Sequence, residues 1–571
     1  MTASTPIRLY LLGALFLGCA FVLVYRLYSY QIVQHDYYRR LANQEHRETI
    51  TVVPSRGSIY DTNANPLALS VSLDALQVVG RDVPDPQAAA LALSPALEMP
   101  PGDILARIDP QSQRAVTIQA GLPSSTADRV RDAIRDKNLS GVALVQAPVR
   151  QYPEGSIAAQ VLGYIGRDRE GLAGLEYYFE NELAGEPGTI ETEVDITRQE
   201  LILARRVVKP PREGTDIVLT LDRYVQRVLE RELAEGVRAN EATGGTIIVM
   251  DPATGGILGM ASYPTYSVSD PMVFREEEQA LHKSVAVTNQ YEPGSVMKLV
   301  TMAGGLDAGA VTPTTKVNDR GIITFPGTTM TVKNWDLGHN GIIDMTEVLI
   351  KSSNIGTYFV ADKLGRERFY QNLSSFGFGQ PTGVELPGEV PGMMRTPASD
   401  GWTIVDLVTN GFGQGIAVTP LQMLTAIAAI GNDGVLLRPT LVKQFVRDDG
   451  VQVPEPHAVR RVVSAETAKT LRDMMVAVIE QPTLQPHRIP GYRIGGKTGT
   501  ADFAATGGYN TSKTYASVVS LLPADKPRLA ILIRIDAPKA LYGGTVAMPI
   551  LKRVGQDLLA YYRIPATTDG R

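Results

Sequence analysis

Two hairpin patterns, far apart in the chain, constrain the fold most. In each, two apolar strand-like runs flank a short turn that contains Pro and Asp: residues 246–250 with 257–261, and residues 515–522 with 529–535. Stretches with helical character lie between the two hairpins. Together they predict one antiparallel sheet with a helical insertion, and therefore an α/β domain.

Three short strings, spread across this region, carry reactive side chains. They are Ser295-Val-Met-Lys298, Ser352-Ser-Asn354 and Lys497-Thr-Gly-Thr500. They supply a nucleophile beside an amine, a hydroxyl/amide pair and a cationic strand end. A hydroxyl of this kind is a weak nucleophile and needs a base, so the set is suited to opening an amide through a serine acyl-enzyme.

The sequence around the first two strings gives them local structure. Pro293-Gly294 stands before Ser295, and the apolar stretch that follows predicts a helix up to Ala308-Gly309. Ser295 is thus expected at a helix N-terminus, with Lys298 on the same helix face. Asp344 and Glu347 have capping-box spacing, which predicts a helix over 345–351 that ends at the Ser-Asn pair.

Each string alone has an ordinary structural interpretation: a helix surface pair, a polar turn and a Gly-rich turn. Residues 491–498 also match a phosphate-binding loop formally, G-x-x-x-x-G-K-[ST]. That loop needs a strand before it and a helix after it. Gln485-Pro-His-Arg-Ile-Pro490 is a poor strand, and Gly499 with Gly507-Gly508 suits no helix. The three strings in order favour the acyl-enzyme.

The N-terminus contains an uncharged run, residues 9–25, between Arg8 and Arg26. It is at the short end for a membrane helix, but the apolar sequence to Val33 and snorkelling arginines can lengthen it. A cleaved signal peptide is the competing interpretation. A small-x-small cleavage site is not evident after the run, which favours a retained anchor.

Composition excludes several classes of function. The chain of 571 residues is 44% hydrophobic and 20% charged, with a net charge of −5, so it is globular and should hold two or more domains. A basic block for nucleic acid is not evident. The six histidines form no close metal-binding pair, and we expect neither metal nor cofactor. Cys19, the single cysteine, cannot form an internal disulfide.

Further motifs resemble the class B penicillin-binding proteins from about residue 20 to 565. In the N-terminal part they are Arg56-Gly-Ser-Ile-Tyr-Asp61, Pro66-Leu-Ala-Leu-Ser70, Arg150-Gln-Tyr-Pro153, Gly163-Tyr-Ile-Gly166, Gly174-Leu-Glu176 and Leu219-Thr-Leu-Asp222. Later ones are Gly413-Gln-Gly415, Thr419-Pro-Leu-Gln422 and Tyr542-Gly-Gly-Thr-Val-Ala-Met-Pro549. The three reactive strings match the same family. The chain most resembles its division-specific (septal) type, with the elongation type as the near rival.

The resemblance implies an architecture. A single transmembrane helix would precede an elongated α+β pedestal and a serine-penicilloyl transpeptidase domain, an antiparallel sheet flanked by helices. The expected limits are a cytoplasmic stub at 1–8, an anchor at 9–33, a dimerisation-like pedestal at 34–235, the transpeptidase domain at 236–565 and a tail at 566–571. The protein would sit in the bacterial cytoplasmic membrane, with its catalytic domain outside the cytoplasm.

The resemblance also implies roles for the site residues. Ser295 would attack the penultimate D-Ala of a peptidoglycan stem, with Lys298 as base, Ser352 as proton shuttle and Asn354 orienting Lys298. The substrate-binding residues would be Lys497, Thr498, Gly499 and Thr500. Lys497 would bind the terminal carboxylate, and the N–H groups of Ser295 and Thr500 would form the oxyanion hole.

Expected ligands and partners follow from the same resemblance. They are D-Ala-D-Ala stems, β-lactams, a polytopic glycan polymerase of the shape, elongation, division and sporulation class, and other membrane proteins of cell division. A membrane-bound serine β-lactamase and a β-lactam sensor are alternatives. We cannot assign the deacylating base that a β-lactamase needs, since Glu385 and Glu389 do not match the class A pattern. His339 and Trp335 are expected in a surface loop more than in the cleft.

Overall fold

The structure, a computed structural model, describes residues 5–39, 47–112, 114–166, 168–193, 206–268, 276–324, 331–505 and 508–566. The strands are β1 Arg47–Val52, β2 Ile59–Tyr60, β3 Pro66–Val79, β4 Ala115–Leu122, β5 Val142–Gln151, β6 Gly188–Glu193, β7 Arg206–Lys209, β8 Asp216–Leu219, β9 Gly244–Met250, β10 Ile257–Tyr263, β11 Lys316–Asp319, β12 Ile322–Thr324, β13 Thr331–Lys333, β14 Gly341–Asp344, β15 Met393–Met394, β16 Ile416–Ala417, β17 Val435–Leu437, β18 Val442–Arg447, β19 Gly450–Gln452, β20 Ala458–Arg461, β21 Gly495–Ala505, β22 Gly508–Leu522 and β23 Leu529–Asp536.

The α-helices, in the same order, are α1 Thr5–Tyr28, α2 Pro86–Leu97, α3 Pro101–Leu105, α4 Ser124–Lys137, α5 Ala159–Leu162, α6 Gly174–Tyr178, α7 Glu180–Leu183, α8 Arg223–Ala239, α9 Val285–Thr288, α10 Lys298–Asp307, α11 Met345–Ile350, α12 Asn354–Leu364, α13 Arg366–Ser375, α14 Ile404–Gly411, α15 Pro420–Gly431, α16 Ala465–Glu480 and α17 Gly543–Tyr561. Short 3-10 turns and one π-helical segment, Ser29–Val33, complete the regular structure.

A small unit is formed within residues 1–55 and 185–214. It contains α1 and an antiparallel sheet of order β1-β6-β7. The helical segment Leu9–Val33 is apolar and long enough to cross a membrane, and its side chains are not buried. The anchor predicted from the sequence covers the same residues, 9–33, and stays a prediction. The predicted helix beyond it is described only as far as residue 39. Residues 40–46, residues 1–4 of the predicted stub and residues 567–571 of the predicted tail lie outside the described residues.

The larger unit, residues 56–184 and 215–571, contains most of the predicted pedestal and the reactive strings, whereas residues 34–55 and 185–214 of that predicted pedestal belong to the small unit. Its N-terminal part is built on a sheet of order β19-β18-β8-β2-β3-β4, to which β5 adds by pairing with β3. The helices α2 and α4 bury apolar side chains against this sheet around Leu76, Leu93 and Val130. Glu176 is fully buried and forms ion pairs with Arg56 and Arg150, so three of the family-like motifs meet there.

The two predicted hairpins are confirmed and form one sheet. Its order is β10-β9-β23-β22-β21, and every neighbouring pair is antiparallel. Alternate residues of each strand enter opposite cores: Ile531 and Ile533 pack with α8 and α17, whereas Leu532 packs on the side of α15. The central strands are therefore apolar on both faces, which explains their uninterrupted hydrophobic sequence.

The predicted capping box at Asp344 and Glu347 is present and begins α11. One local expectation is wrong: the Ser-Asn pair does not simply end this helix. Ser352 and Ser353 form a turn between two helices, and Asn354 is the first residue of α12. The domain limits 34–235 and 236–565 stay predictions. Residue 235 lies inside α8, whose apolar face packs on β10.

Candidate active site

Ser295 lies in a one-turn 3-10 helix, Gly294–Val296, directly before α10. Gly294 has φ +55°, and a Cβ there would lie 2.6 Å from the carbonyl oxygen of Thr500. Its N–H donates to the carbonyl of Gly413 at 3.0 Å. The backbone that carries Ser295 is therefore held between β21 and the Gly413 loop, in a space that only glycine fits.

Lys298 is fully buried and reaches Ser295 through the second string. Its Nζ donates to the Ser352 carbonyl at 2.5 Å, to Ser352 Oγ at 3.2 Å and to Asn354 Oδ1 at 2.7 Å. Ser352 Oγ in turn donates to Ser295 Oγ at 2.9 Å. The four predicted catalytic side chains thus form one hydrogen-bonded array, in which Ser352 connects amine and nucleophile.

The electrostatic surroundings of Lys298 favour its neutral form. Burial lowers the pKa of this amine well below its usual range, and the nearby cation Lys497 lowers it further. Asp319 opposes both effects. Because a base must be unprotonated to accept a proton, these surroundings suit Lys298 to that role.

Lys497, Thr498, Gly499 and Thr500 lie on β21, the edge strand of the five-stranded sheet. Burial lowers the pKa of Lys497 to about 7, and its Nζ donates to the Thr498 carbonyl at 3.0 Å. The hydroxyls of Thr498 and Thr500 share one face because side chains alternate along a strand. This edge can accept an extended peptide by strand addition.

Gly499 is required by the close approach of β21 to the nucleophile turn. A Cβ at this position would lie 2.5 Å from Ser517 Oγ, 2.9 Å from Val296 Cγ2 and 3.0 Å from the Pro293 carbonyl. No substitution fits without moving one of them. The phosphate-loop interpretation fails on the same segment, since the residues directly after Thr498 continue strand β21 to Ala505 and do not begin a helix.

The two glutamates weighed for deacylation are used in loop structure. Glu389 accepts hydrogen bonds from the backbone N–H groups of Thr382 and Gly383. Glu385 accepts from the N–H of Leu441 and the hydroxyl of Thr440. Neither contacts the reactive array. They therefore supply no base for attack of water on an acyl-enzyme.

Some residues of the site have no sequence signal that we recognised. Asp319 and Asn334 are buried beneath the Ser352 turn and contact it by hydrogen bonds. Trp335 is 59% exposed, as expected of a surface loop, but its ring also stacks edge-on against Tyr542 at 5.7 Å and its Nε1 donates to the Lys351 carbonyl. It thus spans from the Ser352 turn to the start of α17. His339 shows no comparable contact.

Comparisons with known proteins agree with the geometry. Residues 245–556 match the family model of the penicillin-binding protein transpeptidase domain, and residues 51–219 match that of the penicillin-binding protein dimerisation domain. Stage V sporulation protein D of Bacillus subtilis is 31% identical, over 98% of this chain and 86% of the relative. The probable peptidoglycan D,D-transpeptidase PbpC of Pseudomonas aeruginosa is 29% identical, over 98% of this chain and 96% of its own length.

Solved structures give the same result for the fold. The crystal structure of penicillin-binding protein 3 from Mycobacterium tuberculosis, complexed with aztreonam, superposes with a TM-score of 0.70 at 29% identity. The match covers 91% of this chain and 99% of that one. A peptidoglycan synthetase from Bifidobacterium adolescentis gives a TM-score of 0.73 at 27% identity, over 92% and 99% of the two chains.

Proposed function

The chain belongs to the class B penicillin-binding proteins, and we propose that it is a serine-type peptidoglycan D,D-transpeptidase that cross-links stem peptides in septal wall synthesis. One observation carries the chemistry: the Ser295–Ser352–Lys298 chain of hydrogen bonds lies next to the edge strand that bears Lys497. A nucleophile, a buried amine base and a carboxylate-binding cation are what such a reaction needs.

The acylation step follows from the order of these contacts. Ser295 Oγ attacks the carbonyl carbon of the penultimate D-Ala while its proton passes through Ser352 Oγ to neutral Lys298. Lys497 binds the terminal carboxylate, with the hydroxyls of Thr498 and Thr500 as donors. The backbone N–H groups of Ser295 and Thr500 stabilise the oxyanion, a contribution of about two to three powers of ten in rate per donor.

Collapse of the tetrahedral intermediate breaks the C–N bond and leaves an ester on Ser295. The proton held by Lys298 returns through Ser352 to the departing D-Ala amine. The amine of a second stem then attacks the ester, and the proton it loses regenerates the Ser295 hydroxyl. The sum is exchange of one amide for another, so no cofactor is consumed.

β-Lactams would acylate Ser295 in the same array, because their strained amide and their carboxylate resemble those of the D-Ala-D-Ala donor. Because neither Glu385 nor Glu389 can activate water here, the penicilloyl ester should persist. This favours a transpeptidase over a β-lactamase. A relative with aztreonam bound, 29% identical to this chain, supports β-lactam binding.

The cellular role rests on the resemblance. We assign the chain to septal synthesis, anchored in the cytoplasmic membrane by residues 9–33, with residues 34–235 as assembly module and 236–565 as catalytic domain. A polytopic glycan polymerase and other division proteins would be its partners. The elongation type is the alternative, and a sporulation protein is also among the relatives. Fluorescent-penicillin labelling in dividing cells separates septal from lateral-wall signal.

The test of the chemistry is covalent labelling followed by peptide mapping. The full-length protein, incubated with fluorescent penicillin, should carry the label on Ser295, and the adduct should persist long after mixing. Ser295→Ala should carry none. Label retained by that variant contradicts the assignment of the nucleophile, whereas rapid multiple turnover of penicillin moves the protein to the β-lactamase class.

A further inference from the structure

A buried carboxylate lies directly beneath the Ser352 turn. Asp319 ends β11 and is fully buried. Its Oδ1 accepts hydrogen bonds from the Gly321 N–H at 2.8 Å and from Asn334 Nδ2 at 2.9 Å. Its Oδ2 accepts from Asn334 Nδ2 at 2.9 Å, from Asn340 Nδ2 at 2.7 Å and from Ser353 Oγ at 2.7 Å.

So many donors keep this side chain ionised. Burial alone would raise the pKa of Asp319, but the hydrogen bonds from Asn340, Ser353, Gly321 and Asn334 hold it below its usual value. A neutral amide in the same place has a single acceptor oxygen, and its NH₂ group would face the NH₂ groups of the asparagines. The donor set therefore specifies a carboxylate.

Two of these contacts lead straight to the reactive array. Ser353 Oγ, which donates to Asp319, also accepts from the Gly356 N–H at 2.8 Å and so caps α12. Asn334, fixed by Asp319 through its NH₂ group, accepts from the Asn354 N–H at 3.0 Å. Asp319 thus holds Ser353 directly and Asn354 through Asn334, the two residues that follow Ser352.

The backbone held in this way is strained. Ser352 has φ +54°, a left-handed conformation that is unfavourable for a residue with a side chain. In that conformation both its carbonyl and its Oγ contact Lys298 Nζ. Relaxation of the turn would separate the proton shuttle from the base, while β21 and Lys497 would stay in place.

We propose that Asp319 is a positioning residue of the transpeptidase reaction, which holds the Ser352 turn in its reactive conformation through Ser353 and Asn334. This inference rests on the proposed roles of Lys298 and Ser352. It goes beyond them by assigning a function to a residue outside the three strings.

The test separates binding from chemistry in the full-length protein. Rapid-mixing kinetics with a penicillin give the dissociation constant of the non-covalent complex and the first-order acylation rate constant. For Asp319→Asn we expect the acylation rate constant to fall about 10–100-fold, the range for misplaced catalytic groups, with the dissociation constant changed less than about threefold. The dissociation constant should stay close to the wild-type value because the substitution does not touch β21, the strand that bears Lys497.

Asp61→Asn is the matched control. Asp61 is also fully buried and accepts from the N–H groups of Asn63 and Asn65 and from Asn65 Nδ2, but it has no contact with the reactive array. Its folded protein should acylate at the wild-type rate. An unchanged acylation rate constant in Asp319→Asn, or an equal fall in both variants, overturns the proposal.

Ser353→Ala gives a second measurement if Asp319→Asn does not fold. It removes one hydrogen bond and a helix cap, and we expect the acylation rate constant to fall about tenfold. Ser464→Ala, which removes the corresponding cap of α16, is its control and should acylate normally. A normal rate in Ser353→Ala then overturns the inference. Label retained by Ser295→Ala would instead refute the proposed function, so the two failures are distinct.

Discussion

At the scale of single residues, the site depends on two buried lysines with different tasks. Lys298 is hydrogen-bonded to Ser352 and Asn354, whereas Lys497 lies on the edge strand. Burial lowers the pKa of both amines, and the charge of Lys497 lowers that of Lys298 again. The positive charge of Lys497 thus has two effects: it binds a carboxylate, and it favours the neutral form of Lys298.

Truncating the two lysines should therefore give different kinetic defects. Lys298→Ala removes the base, and we expect the acylation rate constant to fall about 10²–10⁴-fold with binding of penicillin little changed. Lys497→Ala should mainly weaken the non-covalent binding of carboxylate-bearing donors. Pre-steady-state acylation measured over a range of penicillin concentrations separates the two effects. Normal acylation by the Lys298 variant would contradict its role as base.

The pH dependence of penicillin binding should reflect the protonation state of Lys497. A cation whose pKa lies at about 7 loses its charge as the pH rises above that value, so the affinity for a carboxylate-bearing donor should weaken from about pH 7 upward in the free enzyme. The dissociation constant of the non-covalent penicillin complex, measured between pH 6 and 9, checks this. The dependence should disappear in Lys497→Ala, and its persistence there would assign it to another group.

The contrast between predicted and unpredicted residues has a physical cause. The capping box of Asp344 and Glu347 is a local pattern, and the spacing of Ser295 and Lys298 is fixed within one helical turn, so sequence alone indicates both. Asp319 acts through Asn334 and Ser353, which are brought to it by tertiary packing. Trp335 and Tyr542 likewise meet only in the fold. Such contacts leave no periodic or local signal.

At the scale of elements, reactivity depends on how tightly the edge strand β21 lies against the turn before α10. The hairpin pattern predicted β22 and β23, and the apolar alternation explains why both faces of the sheet are covered. The sequence did not predict the distance between β21 and the nucleophile turn. That distance is set by the absence of a side chain at Gly499 and at Gly294.

Gly499→Ala tests this packing. The added methyl would meet Ser517 Oγ, Val296 and the Pro293 carbonyl within 3.0 Å, so β21 or the nucleophile turn must move. We expect a loss of about 1–3 kcal/mol of stability and an acylation rate at least about tenfold lower. Thermal unfolding and penicillin acylation measure both. Gly102→Ala, where a methyl meets nothing within 4 Å, is the control. Wild-type acylation in Gly499→Ala would show that the close approach is dispensable.

At the scale of the whole molecule, a large N-terminal part of the chain carries none of the residues that make or break bonds in the proposed reaction. The described residues before α8 contain none of the three reactive strings, yet they supply five strands of a seven-stranded sheet, and this region has its own apolar core. A flexible spacer would be rich in Gly, Ser or Pro throughout and would bury no such core. Two strands of that sheet, β18 and β19, come from beyond α15, so pedestal and catalytic region cannot be separated by one cut.

We therefore expect the anchor and pedestal to serve assembly, either by tethering the catalytic part to the membrane or by pairing with a specific membrane partner. A fragment that begins at Arg47 keeps the whole larger unit and should still bind penicillin, because the reactive array lies within residues 295–500. It should fail to replace the full chain in cells, since tethering near nascent glycan raises the effective concentration of the nucleophile. Replacing residues 9–25 by an unrelated membrane helix restores the tether but not contacts within the bilayer. If the protein with the exchanged helix restores growth and septation, tethering suffices. If the soluble fragment alone restores them, the assembly role is contradicted. If neither does, the helix of residues 9–25 pairs with a membrane partner.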